Sequence, residues 1–430
     1  MSLQQIIAII IFLCTMGAII TGKVHNTVAS LTGAACLVLT HILSIEDCVD
    51  AVDVETICIL VGMMLLVAVI KNSGIFEYIA IKAAKIAKGR PWPIMVIFIF
   101  ITAVCSGMLD NVTTVLLVGP MTLAITNILK VDPVPYIITQ IMASNIGGTA
   151  TLIGDPPNIM IGSAAKLSFV DFILNTGVAT VFVIIVGLIC MYFIYGRKLF
   201  VTDESIVKVM QLDENKAIKD RKLMHESVIV IILVALCFIF HDQLGVQSCT
   251  VAIAAACIML LIGGQEPEEI IADVEWPTIL FFIGLFIVVG GMKKVGVITM
   301  LANGLISITH GNMVVTMMVI LWVSAIVSSF LDNIPFVATL IPMILTMQSE
   351  GMDVTPIWWA LSLGACLGGN GTLIGASANV VLSGISKNNG HPITFGQYFK
   401  IGFPMMILSI IVCSVFLLLS LIHISEPTRL

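Results

Sequence analysis

Long apolar runs separated by short polar segments dominate this sequence of 430 residues. An α-helix needs about 20 predominantly apolar residues to cross a lipid bilayer. The pattern predicts ten membrane-crossing helices, near residues 3–22, 27–43, 56–70, 136–165, 176–196, 227–241, 247–263, 278–292, 356–385 and 401–422. We therefore expect an all-α integral membrane protein.

Two further apolar stretches, 92–128 and 313–348, are interrupted in the middle by polar clusters. The first cluster is LDNVTT at 109–114 and the second is LDNIPF at 331–336. Asp and Asn are expensive in the hydrocarbon layer, and non-helical backbone there must be buried in protein or face a water-filled cavity. Each stretch is therefore predicted to form a re-entrant hairpin whose tip carries the polar cluster.

The second half of the chain repeats the first. The triplet Leu-Asp-Asn at 109–111 recurs at 331–333, and GGTATLIGDPPN at 147–158 recurs as GGNGTLIGASAN at 368–379. Because each copy has five crossings, an odd number, the second copy must be inverted in the membrane. The predicted domains are a first repeat, a cytoplasmic linker, a second repeat and a non-native tail that breaks abruptly from the apolar run before it, at residues 1–199, 200–224, 225–422 and 423–430.

The distribution of charge gives an orientation. Only 11% of the residues are charged, against roughly a quarter in soluble domains. Cytoplasmic loops of membrane proteins carry an excess of Lys and Arg; with both termini outside, sixteen of the twenty Lys and Arg residues fall inside. We therefore expect a multi-pass protein of the inner or plasma membrane, with Cys48 outside, Lys216 inside, and 75–90 as an amphipathic helix on the cytoplasmic interface.

Candidate binding residues lie at the two polar discontinuities of each copy, the hairpin tip and the glycine-rich break in the next helix. Unwound carbonyls and hydroxyls bind cations, whereas half-helix N-termini face anions. The predicted substrate- and ion-binding residues are Asp110, Asn111, Thr113, Thr114, Gly148, Thr149, Thr151, Asp155, Asn158, Asp332, Asn333, Asn370, Thr372, Ser377 and Asn379, with a sodium ion expected at Asp110, Asn111, Asp332 and Asn333.

Each of the three aspartates, Asp110, Asp155 and Asp332, can have one of two roles. Asp110 and Asp332 are either the residues that couple transport to an ion gradient, or N-caps that accept backbone N–H bonds from the following half-helix. Asp155 precedes Pro156, as an N-cap would, and its counterpart in the second copy is Ala376. A capping role and a transport role are therefore both open for Asp155.

Other classes of function find little support. The sequence contains neither HExxH nor GxxxxGK[ST], so we expect no enzyme, no catalytic residues, no metal centre and no cofactor beyond a coupling ion, H⁺ or Na⁺. The sequence has no stripe of basic residues of the kind that binds nucleic acid. Two occluding hairpins argue against a passive channel, and buried aspartates argue against a membrane scaffold.

The paired LDN…P, GDPPN and GASAN elements resemble the ion-transporter superfamily, and within it the ArsB/NhaD branch of arsenical-pump permeases, sodium/proton antiporters and the P protein. Citrate and dicarboxylate permeases are more distant. The resemblance implies a homodimer in which a transport domain moves against a scaffold domain by alternating access, with membrane lipid and a small ion as partners. We also expect the linker 200–224 to be open to a cytoplasmic partner.

The function expected from these features is secondary active transport of a small inorganic or organic anion, of the arsenite-permease type, coupled to a proton or sodium gradient. A sodium/proton antiporter is an alternative, in which aspartates bind the cargo cation itself. A citrate or dicarboxylate carrier is a second alternative. The hairpin tips of dicarboxylate carriers resemble a Ser-Asn-Thr signature, whereas the tips of this chain read Asp-Asn-Val and Asp-Asn-Ile.

Overall fold

The computed structural model describes residues 2–21 and 23–425, and all regular secondary structure in this part of the chain is helical. The α-helices are α1 Leu3–Thr21, α2 Asn26–Leu39, α3 Ile45–Ala51, α4 Val54–Lys71, α5 Ile75–Ile86, α6 Pro91–Met108, α7 Asn111–Leu129, α8 Val134–Thr149, α9 Pro156–Ala165, α10 Phe169–Phe172, α11 Val178–Ile194, α12 Asp203–Met210, α13 Arg221–Leu244, α14 Ser248–Ile262, α15 Pro267–Ala272, α16 Trp276–Lys294, α17 Val297–Ile308, α18 Met313–Phe330, α19 Asn333–Ser349, α20 Thr355–Gly368, α21 Ser377–Asn388 and α22 Phe395–Ser425. The predicted all-α membrane fold is confirmed.

Nine helices within the described ranges are long and apolar enough to cross a membrane. This length criterion includes both halves of the first hairpin and the first half of the second. It omits α2, α14 and the two broken helices, because their segments are short. The multi-pass character is therefore clear, whereas the ten crossings and their orientation stay predictions.

The helices of the second half follow those of the first in the same order. Moving 222 positions along the chain carries the first residue of α2, α4, α6 and α7 onto the first residue of α14, α16, α18 and α19. Between the halves, α12 and a 3-10 turn at Glu214–Ala217 occupy the predicted linker, which ends earlier than expected because α13 already begins at Arg221. Of the predicted tail, α22 reaches Ser425, and residues 426–430 lie outside the described residues.

The helices pack in two groups. A frame group contains α1, α2, α4, α13, α14 and α16, and a hairpin group contains α6–α9, α11 and α18–α22. Glycines allow the frame helices to approach closely, as small residues do in membrane proteins. A Cβ atom on Gly62 of α4 would lie 2.7 Å from the Ala252 backbone of α14, and one on Gly284 of α16 would lie 2.6 Å from Ser30 Oγ of α2.

Both predicted hairpins reverse the chain at their aspartates. The start of α6, at Ile94, and the end of α7, at Leu129, belong to the same buried cluster, so the two helices run back on each other. In the second copy, Thr316 near the start of α18 hydrogen-bonds to Thr309 beyond α17, and the side-chain amide of Asn303 on α17 faces Glu350 at the end of α19. The tips between these helices consist of Leu-Asp pairs at 109–110 and 331–332.

The broken helices are held together by contacts that leave no room for side chains. A Cβ atom on Gly154 would lie 2.7 Å from the carbonyl oxygens of both Gly148 and Ser106. A Cβ atom on Gly375, the equivalent position, would lie 2.7 Å from the carbonyl oxygen of Gly369. Glycine is therefore required because another backbone segment passes directly beside the break.

Ion pairs fix the short segments outside the spanning helices. Lys85 Nζ on α5 lies 2.6 Å from Glu214 Oε2 in the linker and lowers the pKa of that carboxyl group. Lys294 at the end of α16 pairs with Asp47 on α3 and lowers the Asp47 pKa to about 2. These carboxyl groups therefore stay ionised at neutral pH and hold α3 and the linker against neighbouring helices.

The predicted orientation can be tested by thiol labelling of residues outside the spanning helices. Cys48 was expected to react with a membrane-impermeant thiol reagent from outside, but it packs in the core and is only 9% exposed. Asp50, on the same short helix, is exposed, as is Lys216 in the linker. We expect Asp50→Cys to be labelled on intact cells and Lys216→Cys only after permeabilisation, each measured above the parent chain's own labelling. The reverse pattern would contradict the predicted orientation.

The crowding at Gly154 predicts a sharp sensitivity to one methyl group. Overpacking of this kind costs about 1–3 kcal/mol, and here the clashing atoms are backbone carbonyls that cannot rotate away. We expect Gly154→Ala and Gly375→Ala to abolish transport in a vesicle assay. Gly384→Ala is the matched control, since a Cβ atom there meets nothing within 4 Å. Normal transport by both crowded variants would mean that the breaks tolerate rearrangement.

Candidate functional site

Four half-helices begin around one cavity of about 190 Å³. The helices are α7 and α19, which follow the hairpin tips, and α9 and α21, which follow the breaks. Their first residues meet because the tips and breaks of the two halves pack against one another. The cavity is lined by Leu60, Met64, Asp110, Asn111, Val112, Asp155, Pro156, Glu275, Thr278, Asn333, Ile334, Ser377 and Val381.

Asp155 joins the two hairpin tips. Its side chain is 1% exposed, and its carboxylate accepts hydrogen bonds from Asn111 Nδ2 (3.3 Å) and from Asn333 Nδ2 (3.1 Å to Oδ2). Although Asp155 occupies the N-cap position of α9, its side chain makes no capping hydrogen bond. Of the two roles open for this residue, side-chain capping is thus not the one that its contacts serve.

Asp110 and Asp332 do contact the helices that follow them. Asp110 Oδ1 accepts the Thr113 backbone N–H at 2.8 Å, and the Thr113 hydroxyl donates to the other carboxylate oxygen. Asp332 Oδ1 accepts the Ile334 N–H at 3.2 Å, and Asp332 Oδ2 accepts from Ser377 Oγ at 2.7 Å. Both aspartates therefore act as N-caps, and a role in coupling stays a prediction for them.

A buried asparagine network ties the broken backbone together. Asn158 Nδ2 donates to the carbonyls of residues 148, 149 and 151, and Asn379 Nδ2 donates to those of residues 369 and 372. Asn145 Nδ2, on α8, donates to the side-chain oxygens of Asn370 and Asn379, both at 2.9 Å. The network thus replaces helical hydrogen bonds that the breaks forfeit, and it crosses between the two halves.

The remaining predicted residues lie around the cavity rather than on its wall. Thr151 and Thr372 donate to the carbonyls of Gly107 and Ser329, one turn before each hairpin tip. Thr149 bonds back to the Asn145 carbonyl at 2.6 Å. The predicted residues absent from the cavity wall are Thr113, Thr114, Gly148, Thr149, Thr151, Asn158, Asn370, Thr372 and Asn379, while Asp332 lines an adjoining cavity.

Two polar residues of the frame group also line the central cavity, although they were not predicted from the sequence. Glu275 and Thr278 lie at the start of α16, and Glu275 is half-buried. Among the residues that the structure describes, no Lys, Arg or His lines this cavity. Within the described ranges, no three acidic, His or Cys side chains come close enough together to hold one metal ion directly. A cation in the cavity would therefore be bound by individual carboxylates together with amide oxygens, hydroxyls or water.

Two further cavities lie between the frame group and the hairpin group. An adjoining cavity of about 340 Å³ contains His25, Asn26 and Asp332, and it shares Thr278 and Ser377 with the central one. A third cavity, of about 430 Å³, is lined by frame and hairpin residues that include Glu55 and Ser163 and shares none with the central site. There Ser163 Oγ on α9 donates to Asp53 Oδ1 at 3.0 Å, so the two helical groups are joined.

Known structures and sequences resemble the chain along most of its length. The YdaH transporter of Alcanivorax borkumensis, described as having an unusual topology, matches 86% of this chain and 85% of its own with a TM-score of 0.55 at 16% identity. That similarity supports the fold alone.

Several relatives with higher sequence identity are named as transporters. A Mycobacterium tuberculosis protein named as an uncharacterized transporter is 40% identical over 422 residues, 96% of this chain and 98% of that protein. The P protein of Homo sapiens is 31% identical over 502 residues, 97% of this chain but 60% of that protein. The family model described as citrate transporter matches residues 16–364. The chain therefore belongs to the citrate transporter family and is a multi-pass membrane transporter.

Proposed function

We propose that the protein is a secondary active transporter that exchanges a small cation, with sodium as the working candidate, for protons. The observation that carries this proposal is the wall of the central cavity, which within the described part of the chain contains Asp110, Asp155 and Glu275 but no basic side chain. A bare anion would meet only negative charge from the side chains there. A cation or a proton would compensate it.

Helix dipoles sharpen this argument. Each α-helix N-terminus carries about half a unit of positive charge. The N-termini of α7, α9, α19 and α21 together offset about two charges of the three aspartates, Asp110, Asp155 and Asp332. About one negative charge remains, before Glu275 is counted. Glu275 adds a further negative charge to the cavity wall, so the site favours cations or protons over a bare anion, as an exchange of sodium for protons requires.

The anion permease expected first from the sequence, of the arsenite type, has less support from this geometry. Carriage of citrate is the second candidate, because the matching family model is described as citrate transporter. Citrate carries up to three carboxylates of its own. It would need accompanying cations or protons to enter a cavity lined by aspartates, so cation binding at this site belongs to both candidates.

Alternating access and dimerisation belong to the same proposal. The hairpin group would move against the frame group, which stays fixed in a homodimer in the cell membrane. Support comes from an asymmetry of the site: the cavity at His25 shares wall residues with the central cavity, whereas the cavity beside the Ser163–Asp53 hydrogen bond shares none. In the predicted orientation His25 is cytoplasmic, which makes this the inward-facing state.

The proposal predicts sodium-driven proton movement in reconstituted vesicles. Protein is incorporated into liposomes that contain a pH-sensitive dye, and sodium chloride is added outside. We expect the interior to become more alkaline, because sodium that enters down its gradient is exchanged for protons that leave, with no such response in protein-free liposomes. Uptake of labelled citrate or arsenite, measured in parallel without any sodium-linked pH change, would contradict cation exchange.

Asp155 is expected to be the most sensitive of the three aspartates. Its carboxylate accepts hydrogen bonds from side-chain amides and makes no capping hydrogen bond to α9, whereas Asp110 and Asp332 each accept a backbone N–H group of the helix that follows. We expect Asp155→Asn to reduce sodium-driven proton flux by at least about tenfold, equivalent to roughly 1.4 kcal/mol.

Asp110→Asn and Asp332→Asn keep a side chain that caps well, and we expect them to insert normally and to lose less flux. Asp353→Asn is the matched control, because Asp353 caps Thr355 in an exposed loop. Wild-type flux in Asp155→Asn, together with loss in Asp110→Asn and Asp332→Asn, would return the coupling role to the hairpin aspartates.

A further inference from the structure

The frame group carries one acidic residue at the same position in each half of the chain. Asp53 directly precedes α4 and Glu275 directly precedes α16, 222 positions further along. The carboxylate of Asp53 is fully engaged. It accepts the backbone N–H groups of Glu55 (3.1 Å) and Thr56 (3.3 Å), the Thr56 hydroxyl (2.7 Å) and the hydroxyl of Ser163 on the hairpin group (3.0 Å).

Glu275 has almost none of these contacts. Its side chain makes no capping hydrogen bond to α16. Among the described residues, its one side-chain hydrogen bond comes from Thr278 Oγ1 on the same helix, at 3.2 Å. Instead of capping the helix, the longer glutamate side chain lines the central cavity together with Asp110 and Asp155.

This arrangement is unfavourable in an empty cavity. Carboxylates that share a poorly solvated space repel one another, and each destabilises the charged form of the others. Asp53 shows that an acidic residue at this position can be satisfied by the helix that follows it. Glu275 forgoes that contact and adds charge to a wall that is already acidic, so its role is not stabilisation of α16.

We propose that Glu275 is the frame-side ligand of the transported cation, an inference that rests on the proposed cation exchange. The aspartates belong to the hairpin group and Glu275 belongs to the frame group, so a cation between them contacts both helical groups at once. The cavity of about 190 Å³ has room for water, so water molecules can complete the coordination of such a cation. Glu275 therefore helps to hold the cation in this conformation only, because movement of the hairpin group separates the two sets of carboxylates.

The test compares Glu275→Gln with a matched control, Glu269→Gln, in the vesicle assay at a series of sodium concentrations. Glu269 is an exposed glutamate on α15, six positions before Glu275, outside the cavity. Removing one charge from a partly solvated ion site weakens binding about fivefold to tenfold. We expect Glu275→Gln to raise the sodium KM by that factor with little change in maximal flux, and Glu269→Gln to match the wild type.

Sodium binding gives a second readout that does not depend on flux. In detergent, sodium chloride should raise the thermal unfolding temperature of the wild type and of Glu269→Gln at lower concentrations than it does for Glu275→Gln. The same unfolding curves without sodium verify that Glu275→Gln is folded. An unchanged sodium KM and unchanged protection in a folded Glu275→Gln would overturn the role of Glu275 while leaving cation exchange intact. Absence of sodium-driven flux in the wild type would instead overturn the proposed function.

Discussion

The carboxylate of Asp155 is the contact on which the centre of the molecule depends. It accepts hydrogen bonds from Asn111 and Asn333, which begin the second half-helix of each hairpin. Two re-entrant tips from opposite halves of the chain are thus joined through one residue of a broken helix. Without that contact the tips would bury amide groups without partners, which is costly in a low-dielectric interior. The tips are therefore held against each other, and the cavity lies between them and the frame helices.

The broken helices meet the same constraint by a different route. A backbone that leaves the helix inside a membrane must find new hydrogen-bond partners within the protein. Here Asn158 and Asn379 bond to the freed carbonyls of their own breaks, while Thr151 and Thr372 bond to the carbonyls just before each hairpin tip. Glycines then allow the non-helical backbone of each break to pass within van der Waals contact of neighbouring backbone. Polar residues at the breaks therefore serve two purposes, and many of the predicted binding residues stabilise the backbone around the cavity.

Much of this architecture could be predicted from the sequence, because the signals were local or repeated. The hairpins and breaks appear as polar clusters in apolar runs, and the same clusters recur 221 or 222 positions later. The role of Asp155 could not be predicted in the same way, because its counterpart is Ala376 and its partners are distant in the chain. Glu275 was missed because it lies in a loop among other acidic residues, where only the tertiary structure distinguishes it from Glu269. Burial of Cys48 likewise depends on packing between the short α3 and its neighbours.

The hydrogen bond between Ser163 and Asp53 has no equivalent in the other half of the chain. The residue that corresponds to Ser163 is Gly384, which has no side chain to donate, and the residue that corresponds to Asp53 is Glu275. Two perfectly symmetric repeats would give two end states of equal energy. Here the hydrogen bond between Ser163 and Asp53 joins the two helical groups on one side, and the other side lacks that contact. In the proposed alternating-access cycle, this asymmetry would favour one resting conformation of the unloaded protein, and the binding free energy of the cargo would have to offset that preference for the molecule to reach the other conformation.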